Sequence, residues 1–189
     1  MIFDEDIKNS LKVLKKGGVI LYPTDTVWGL GCDATNSQAV EKIFRIKSRS
    51  DSKSLIILVD SISMLERYVK EIPAIASDLI EVSDTPLTII YPKAKNLAAG
   101  IPAEDGSVGI RICTDKFCNE LIGKYMRPIV STSANISGEP APSNFGEILQ
   151  SVVDAVDYTV FYNREDRQKH KASPVIKVEI NGKIKVIRE

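Results

Sequence analysis

Short apolar runs alternate with segments of helical period along almost the whole chain, and this restricts the fold more than any other feature of the sequence. The runs at 19–22, 55–59, 87–91, 108–112, 128–131 and 158–161 have the length and the Val, Ile and Leu content of buried strands. Between them, "DEDIKNSLKVLKKGG" places Ile7, Leu11 and Leu14 on one face and stops at Gly17-Gly18, a normal helix end. Asn36 or Ser37 caps a second helix that runs to about Ile46, with Val40, Ile43 and Phe44 inward. Further helices are predicted at 63–69, 73–82, 116–125 and 143–152. The terminal "PVIKVEINGKIKVIRE" reads as a hairpin, because Asn181-Gly182 between two alternating runs suits the positive φ angles of a tight turn. A hairpin excludes a purely parallel sheet. The prediction is an α/β fold, one domain over 1–189, with a mixed sheet, flanking helices and binding groups on the loops at strand ends.

Composition narrows the function classes. At 43% apolar and 26% charged, the chain has ordinary globular composition, and no apolar stretch approaches a membrane span. The opening "MIFDEDIKNS" is acidic and lacks the basic-then-apolar order of a signal peptide, so a cytoplasmic protein without membrane partners is expected. Lys plus Arg and Asp plus Glu are both 25, so any basic site must be local. Cys32, Cys113 and Cys118 form no CxxC and have only His170 for company. They are expected to be buried small hydrophobes in a reducing compartment, and His170, in the charged run "NREDRQKHK", a loop residue.

Four stretches carry candidate chemistry. "YPTDTVWGLGCDATN" contains Gly29-x-Gly31-x-x-Ala34, the form of a dinucleotide fingerprint. That fingerprint needs strand, turn and helix in immediate succession, whereas this strand ends at Tyr22 and the next helix opens near Ser37. A structured loop is expected instead. Thr24, Asp25 and Thr26 either offer polar groups to a ligand beside a flat Trp28 wall, or close local turns with Trp28 in the core. "FRIKSRSDSKS" carries Arg45, Lys47, Arg49 and Lys53 among serines. It is either a solvated basic helix end or a polyphosphate site, where Arg binds oxygens in pairs and Lys adds a point charge. No GxxxxGK[ST] is present, so it is not a P-loop. "SVGIRIC" puts Arg111 in an apolar strand, where the cation needs either an internal carboxylate or an anionic ligand in a cleft. In "IVSTSANISG", Ser131, Ser133 and Asn135 alternate, so they share one face if the strand continues that far. They either end the strand in local turns or offer neutral donors and acceptors to phosphate oxygens or a small polar substrate.

Taken together, these stretches resemble the YrdC-like family, specifically threonylcarbamoyl-AMP synthases of the TsaC type in their single-domain form. The resemblance rests on "GGVILYPTDTVWGLGCDATN", Lys47-x-Arg49 before a Leu-Ile-rich strand, "DTPLTIIYP", "SVGIRI", and Ser133-x-Asn135 within "STSANISGEPAPS", from about Gly17 to Arg188. It implies a twisted mixed α/β sheet around a large concave cavity. It also implies conversion of L-threonine, bicarbonate and ATP, with Mg²⁺ on the phosphates, into threonylcarbamoyl-AMP and pyrophosphate for tRNA modification. Lys47, Arg49, Ser133 and Asn135 map on the catalytic elements. Thr26, Arg111, Ser131 and Ser173 would face threonine, while Ser107, Arg49, Lys53, Ala141 and Arg188 would lie along the nucleotide with Lys47, Ser133 and Asn135. Partners implied are tRNA or double-stranded RNA and the downstream threonylcarbamoyl transferase machinery.

The chain departs from the family pattern in places. Lys53 replaces an amide, Leu58 stands where relatives often have His, and Pro174 follows Ser173. A second class stays open, a YrdC- or YciO-like RNA-binding or ribosome-maturation protein without synthase activity. The neutral net charge opposes it, because backbone recognition needs a basic surface. The charged segment 163–171 is the lid candidate on composition.

Overall fold

The computed structural model describes residues 1–48 and 55–189. Among these, nine strands form one mixed sheet. The strands are β1 (Ile20–Tyr22), β2 (Gly29–Gly31), β3 (Ile56–Val59), β4 (Thr88–Tyr91), β5 (Val108–Ile112), β6 (Ile129–Ser133), β7 (Tyr158–Thr159), β8 (Val175–Val178) and β9 (Ile184–Arg188). Their order is β7-β1-β2-β6-β3-β5-β4-β8-β9. β3 runs parallel to β5 and antiparallel to β6, while the terminal hairpin β8–β9 adds an antiparallel edge. The turn between them puts Gly182 at φ +84°, the conformation that the Asn-Gly pair foretells.

The helices are α1 (Ile2–Lys15), α2 (Ser37–Ile46), α3 (Ile62–Leu65), α4 (Ala74–Val82), α5 (Lys116–Tyr125) and α6 (Gln150–Asp154). Asn36 begins α2 by accepting from the amides of Gln38 and Ala39, and Asp115 begins α5 by accepting from Cys118. α1 buries Ile7 and Leu14 as its period requires, and also Asp6. That carboxylate, acidic surface by composition, instead accepts from Tyr158 Oη (2.6 Å) and the amides of Phe161 and Tyr162, fastening α1 to the end of β7. All three cysteines are buried and free, as expected.

Two predicted helices differ from the structure. The helix expected at 143–152 is a 3-10 turn (Phe145–Glu147) followed by α6, because Ile148 is extended at ψ 129° between them. Its apolar spacing has helical period, but its backbone does not follow. The helix at 63–69 keeps only its first turn, as α3.

β2 was expected to be loop. Its Gly-Leu-Gly composition hides a strand that pairs with β1 on one side and β6 on the other. Gly31 is there for Tyr22, which is fully buried. A Cβ at Gly31 would sit 2.5 Å from Tyr22 Cε1 and 3.0 Å from the Val130 carbonyl oxygen. The second glycine of the apparent dinucleotide motif is therefore required by the seating of a tyrosine ring on the neighbouring strand.

Beyond β2, Asp33 (2% exposed) ties the sheet to α5. Its carboxylate accepts from Thr35 N (2.7 Å), Thr35 Oγ1 (2.6 Å), Tyr125 Oη (2.7 Å) and Arg127 Nη1 (2.9 Å). Burial pushes this carboxyl up, but the bonds from Thr35, Tyr125 and Arg127 outweigh it and hold it below its ordinary value.

Two predictions follow from this packing. Gly31→Ala should cost about 1–3 kcal/mol of unfolding free energy in urea. Gly109→Ala, whose added Cβ would meet nothing closer than 3.6 Å, should stay within about 0.5 kcal/mol. Because the Asp33 carboxyl titrates lower folded than unfolded, its stabilisation is present above the ordinary carboxylate pKa and is lost as pH falls through the depressed value. Asp33→Asn should therefore destabilise near neutral pH and flatten the acid limb of a stability-against-pH curve.

Candidate active site

Residues directly opposite one another across a β-ladder share a face of the sheet. Gly29 lies opposite Ser133, Ile56 opposite both Ser131 and Gly109, and Leu58 opposite Arg111. One face of the central strands thus carries glycines and serines around a single arginine. The missing side-chain volume leaves a cavity of ≈ 240 Å³. Gly29, Ile56, Arg111, Ser131 and Ser133 contribute to its wall from the sheet, and Thr26 and Val27 from the β1–β2 connection. Ala141, Ala172, Ser173 and Arg188 complete it.

Behind Ser133 sits Lys47, the residue that ends α2 and is only 3% exposed. Its Nζ donates to the Ser133 carbonyl (2.6 Å), the Asn135 carbonyl (2.8 Å) and Asn135 Oδ1 (3.3 Å). The same Oδ1 accepts from Ser133 Oγ at 2.5 Å, and the Asn135 amide donates to the carbonyls of Ile136 and Glu139. In return the Lys47 carbonyl accepts from Ser137 N at 3.0 Å. Two segments far apart in sequence are thereby clipped through backbone and side chain, with an ammonium at the join. Strand geometry does continue to Ser133, so Ser131 and Ser133 face one way.

Arg111 (3% exposed) has an internal carboxylate for a partner and also lines the cavity. Its Nη2 lies 2.9 Å from Asp25 Oδ1 and 3.3 Å from Thr26 Oγ1, and Nη1 donates to Ser173 Oγ at 3.1 Å. Asp25 is the internal carboxylate, and Thr26 and Ser173 stand on the cavity wall. Burial raises the Asp25 pKa and the Arg111 charge only partly opposes that. Ser173 also exchanges a hydrogen bond with Thr88 Oγ1 at 2.8 Å, and its carbonyl accepts from Arg188 Nε (3.0 Å) and Nη2 (2.7 Å). Burial, and then repulsion from Arg111, lower the Arg188 pKa.

A family model for the Sua5/YciO/YrdC domain, described as telomere recombination, matches residues 12–189. The chain belongs to the Sua5/YciO/YrdC family. Among its relatives, a protein named threonylcarbamoyl-AMP synthase from Pseudoalteromonas translucida is 32% identical over 181 residues, covering 94% of this chain and 95% of the relative. Another of that name, from Psychromonas ingrahamii, is 36% identical over 140 residues, 72% and 73% of the two chains. The crystal structure of P. abyssi Sua5 complexed with L-threonine superposes with a TM-score of 0.80 at 30% identity, over 91% of this chain and 50% of that one. This chain thus spans about half the length of that Sua5. E. coli YciO superposes with a TM-score of 0.83 at 25% identity, over 97% and 88%.

Within this Sua5/YciO/YrdC domain, the structure brings Thr26, Arg111, Ser131, Ser133, Ala141, Ser173 and Arg188 to one cavity. Lys47 and Asn135 stand directly behind Ser133. Ser107 is buried just before β5, where its amide donates to Asp105 Oδ1 at 2.9 Å, and it is not on the cavity wall. Arg49 and Lys53 lie outside the described residues. His170 pairs with Asp166 at 3.0 Å, away from the wall. Leu58, one of the expected departures from the family pattern, is fully buried beside Arg111. Segment 163–171 leads into Ala172 on the wall, and the His170 amide donates to the Ser143 carbonyl at 3.1 Å.

Sequence reasoning gave no role to Thr88, Val27 or Ile56. Thr88 was visible only as part of "DTPLT", and nothing in the sequence announces that its hydroxyl reaches Ser173. Thr88→Val should cost about 1 kcal/mol in urea unfolding, since it removes one buried hydrogen bond without changing volume.

Proposed function

We propose that this chain is a threonylcarbamoyl-AMP synthase, a nucleotidyltransferase that joins L-threonine, bicarbonate and ATP into threonylcarbamoyl-AMP and pyrophosphate for tRNA modification. The observation that carries the reading is the Lys47 ammonium clipped to Ser133 and Asn135 directly behind the wall of a cavity that also presents Arg111 with the Thr26, Ser131 and Ser173 hydroxyls. A cation beside neutral donors suits phosphate oxygens, and a guanidinium flanked by hydroxyls suits an amino-acid carboxylate. The names of the synthases at 32% and 36% identity, and the L-threonine in the P. abyssi Sua5 complex, support the same assignment.

In this reading the threonine amine captures carbon dioxide or bicarbonate as a carbamate. A carbamate oxygen then attacks the α-phosphorus of ATP, forming the new P–O bond as the bond to pyrophosphate breaks. The substrate supplies the nucleophile, so what the chain contributes is position and charge: Lys47 and Arg49 toward the phosphates, Arg111 toward threonine. Ser133, Asn135, Ala141 and Arg188, with Lys53 and Ser107, would border the nucleotide. Magnesium would enter as part of the nucleotide substrate. Among the described residues there is no cluster of three His, Cys, Asp or Glu able to cage an ion. Its ligands would be phosphate oxygens and water. We place the enzyme in the cytoplasm as a single domain over 1–189, delivering its product to threonylcarbamoyl transferase machinery that acts on tRNA. Among the described residues no helix is long and apolar enough to cross a membrane.

Pyrophosphate release should require both threonine and bicarbonate and should fall sharply with serine or with no amino acid. Lys47→Ala and Asn135→Ala should each lower it by about 10²–10³-fold, the usual loss for one oxyanion-stabilising donor. Equal release without threonine, or undiminished release in both variants, would sink the assignment. An RNA gel shift without nucleotide turnover would point instead to the RNA-binding class.

A further inference from the structure

Arg111 is held from two sides by different kinds of group. Thr26 and Ser173 hydroxyls meet it at the cavity wall, while Asp25, whose side chain is 8% exposed and not part of that wall, meets it from behind at 2.9 Å. The Asp25–Arg111 approach is off the line of a hydrogen bond: among the described residues neither carboxylate oxygen receives an aligned donor, and Arg111 Nε–H finds no acceptor. Buried polar atoms left in this state are costly. Their joint effect is electrostatic: the carboxylate offsets the charge of the guanidinium it touches. The Lys47 ammonium lies off the wall, behind Ser133, whereas Arg188 stands on the wall and bonds the Ser173 carbonyl.

We propose that Asp25 is a positioning residue that acts through Arg111, offsetting its charge so that the guanidinium receives the single carboxylate of a zwitterion in preference to polyphosphate. The proposal rests on the synthase reading and extends it. A lone guanidinium would attract any anion, and most strongly the most highly charged one present, the triphosphate or pyrophosphate. Paired with Asp25, the guanidinium retains its fork of donors for one carboxylate, while the negative charge behind it repels a second and third anionic oxygen. An α-amino acid, whose net charge is zero, loses nothing from that pairing. A phosphate chain does.

The test is L-threonine binding by calorimetry, with and without inorganic pyrophosphate, in wild type and in Asp25→Asn, which keeps the side-chain shape and removes the charge. In wild type, pyrophosphate should leave the threonine dissociation constant within about twofold. In Asp25→Asn it should weaken threonine binding by about 10-fold or more, the equivalent of one charge-assisted hydrogen bond. A generally damaged site would lose threonine affinity equally in both arms and would not acquire sensitivity to pyrophosphate. That result, or an Asp25→Asn protein behaving like wild type, overturns the proposal. Should Asp25→Asn fail to fold, Asp25→Ser is read in the same two arms against the same expectations, and competition by pyrophosphate in wild type overturns the proposal whichever variant folds. Failure of wild type to bind threonine at all would strike the synthase reading itself.

Discussion

A guanidinium in the middle of a β-sheet has to be compensated, and much of the site is organised around that requirement. Arg111 lies on β5 and is almost wholly buried, so the chain must bring oxygen atoms to it. They come from widely separated places: Asp25 and Thr26 from the β1–β2 connection, Ser173 from the approach to β8. Ser173 is oriented in turn by Thr88 on β4 and by Arg188 on β9. Each of these residues lies in or beside a strand, so the sheet order of β2, β5, β4, β8 and β9 is what makes the compensation possible. The cavity exists because the surrounding positions on that face are occupied by Gly29, Gly109, Ser131 and Ser133, side chains too small to fill it.

Elements were legible in the sequence where local signals and tertiary demands agreed. α5 matches its predicted span of 116–125 because the Asp115 cap, the apolar period and the end at Tyr125 all coincide. β5 matches 108–112 for a similar reason, as an uninterrupted buried run broken only by Arg111. β2 was illegible because its defining constraint, the ring of Tyr22, is applied from a different strand and calls for residues that normally argue against a strand. The segment after Ser143 failed the other way. Its Phe145, Ile148 and Val152 keep a helical rhythm, yet the backbone extends at Ile148.

The site shows the same division. Residue types foretold a basic element at Lys47 and an uncharged polar one at Ser131 to Asn135, and each taken alone could have been local turn chemistry. What sequence could not supply was the join, Lys47 Nζ resting on the Ser133 and Asn135 carbonyls, since a backbone acceptor has no sequence signature. Likewise the composition of "SVGIRIC" demanded a partner for Arg111 without choosing between a carboxylate and a ligand. The fold supplies Asp25 on one side and open space on the other.

The grip of Arg188 on the Ser173 carbonyl has a dynamic corollary. β9 is an edge strand with all five residues exposed, and strands of that kind are among the first parts of a sheet to fray. Because Arg188 reaches inward to the cavity wall, fraying of this outer ribbon would release the backbone of Ser173 and loosen one of the hydroxyls that hold Arg111. The rim of the cavity is thus coupled mechanically to the margin of the sheet. Entry and exit of a small molecule could then draw on breathing motions at the molecule's periphery, with no hinge built for the purpose.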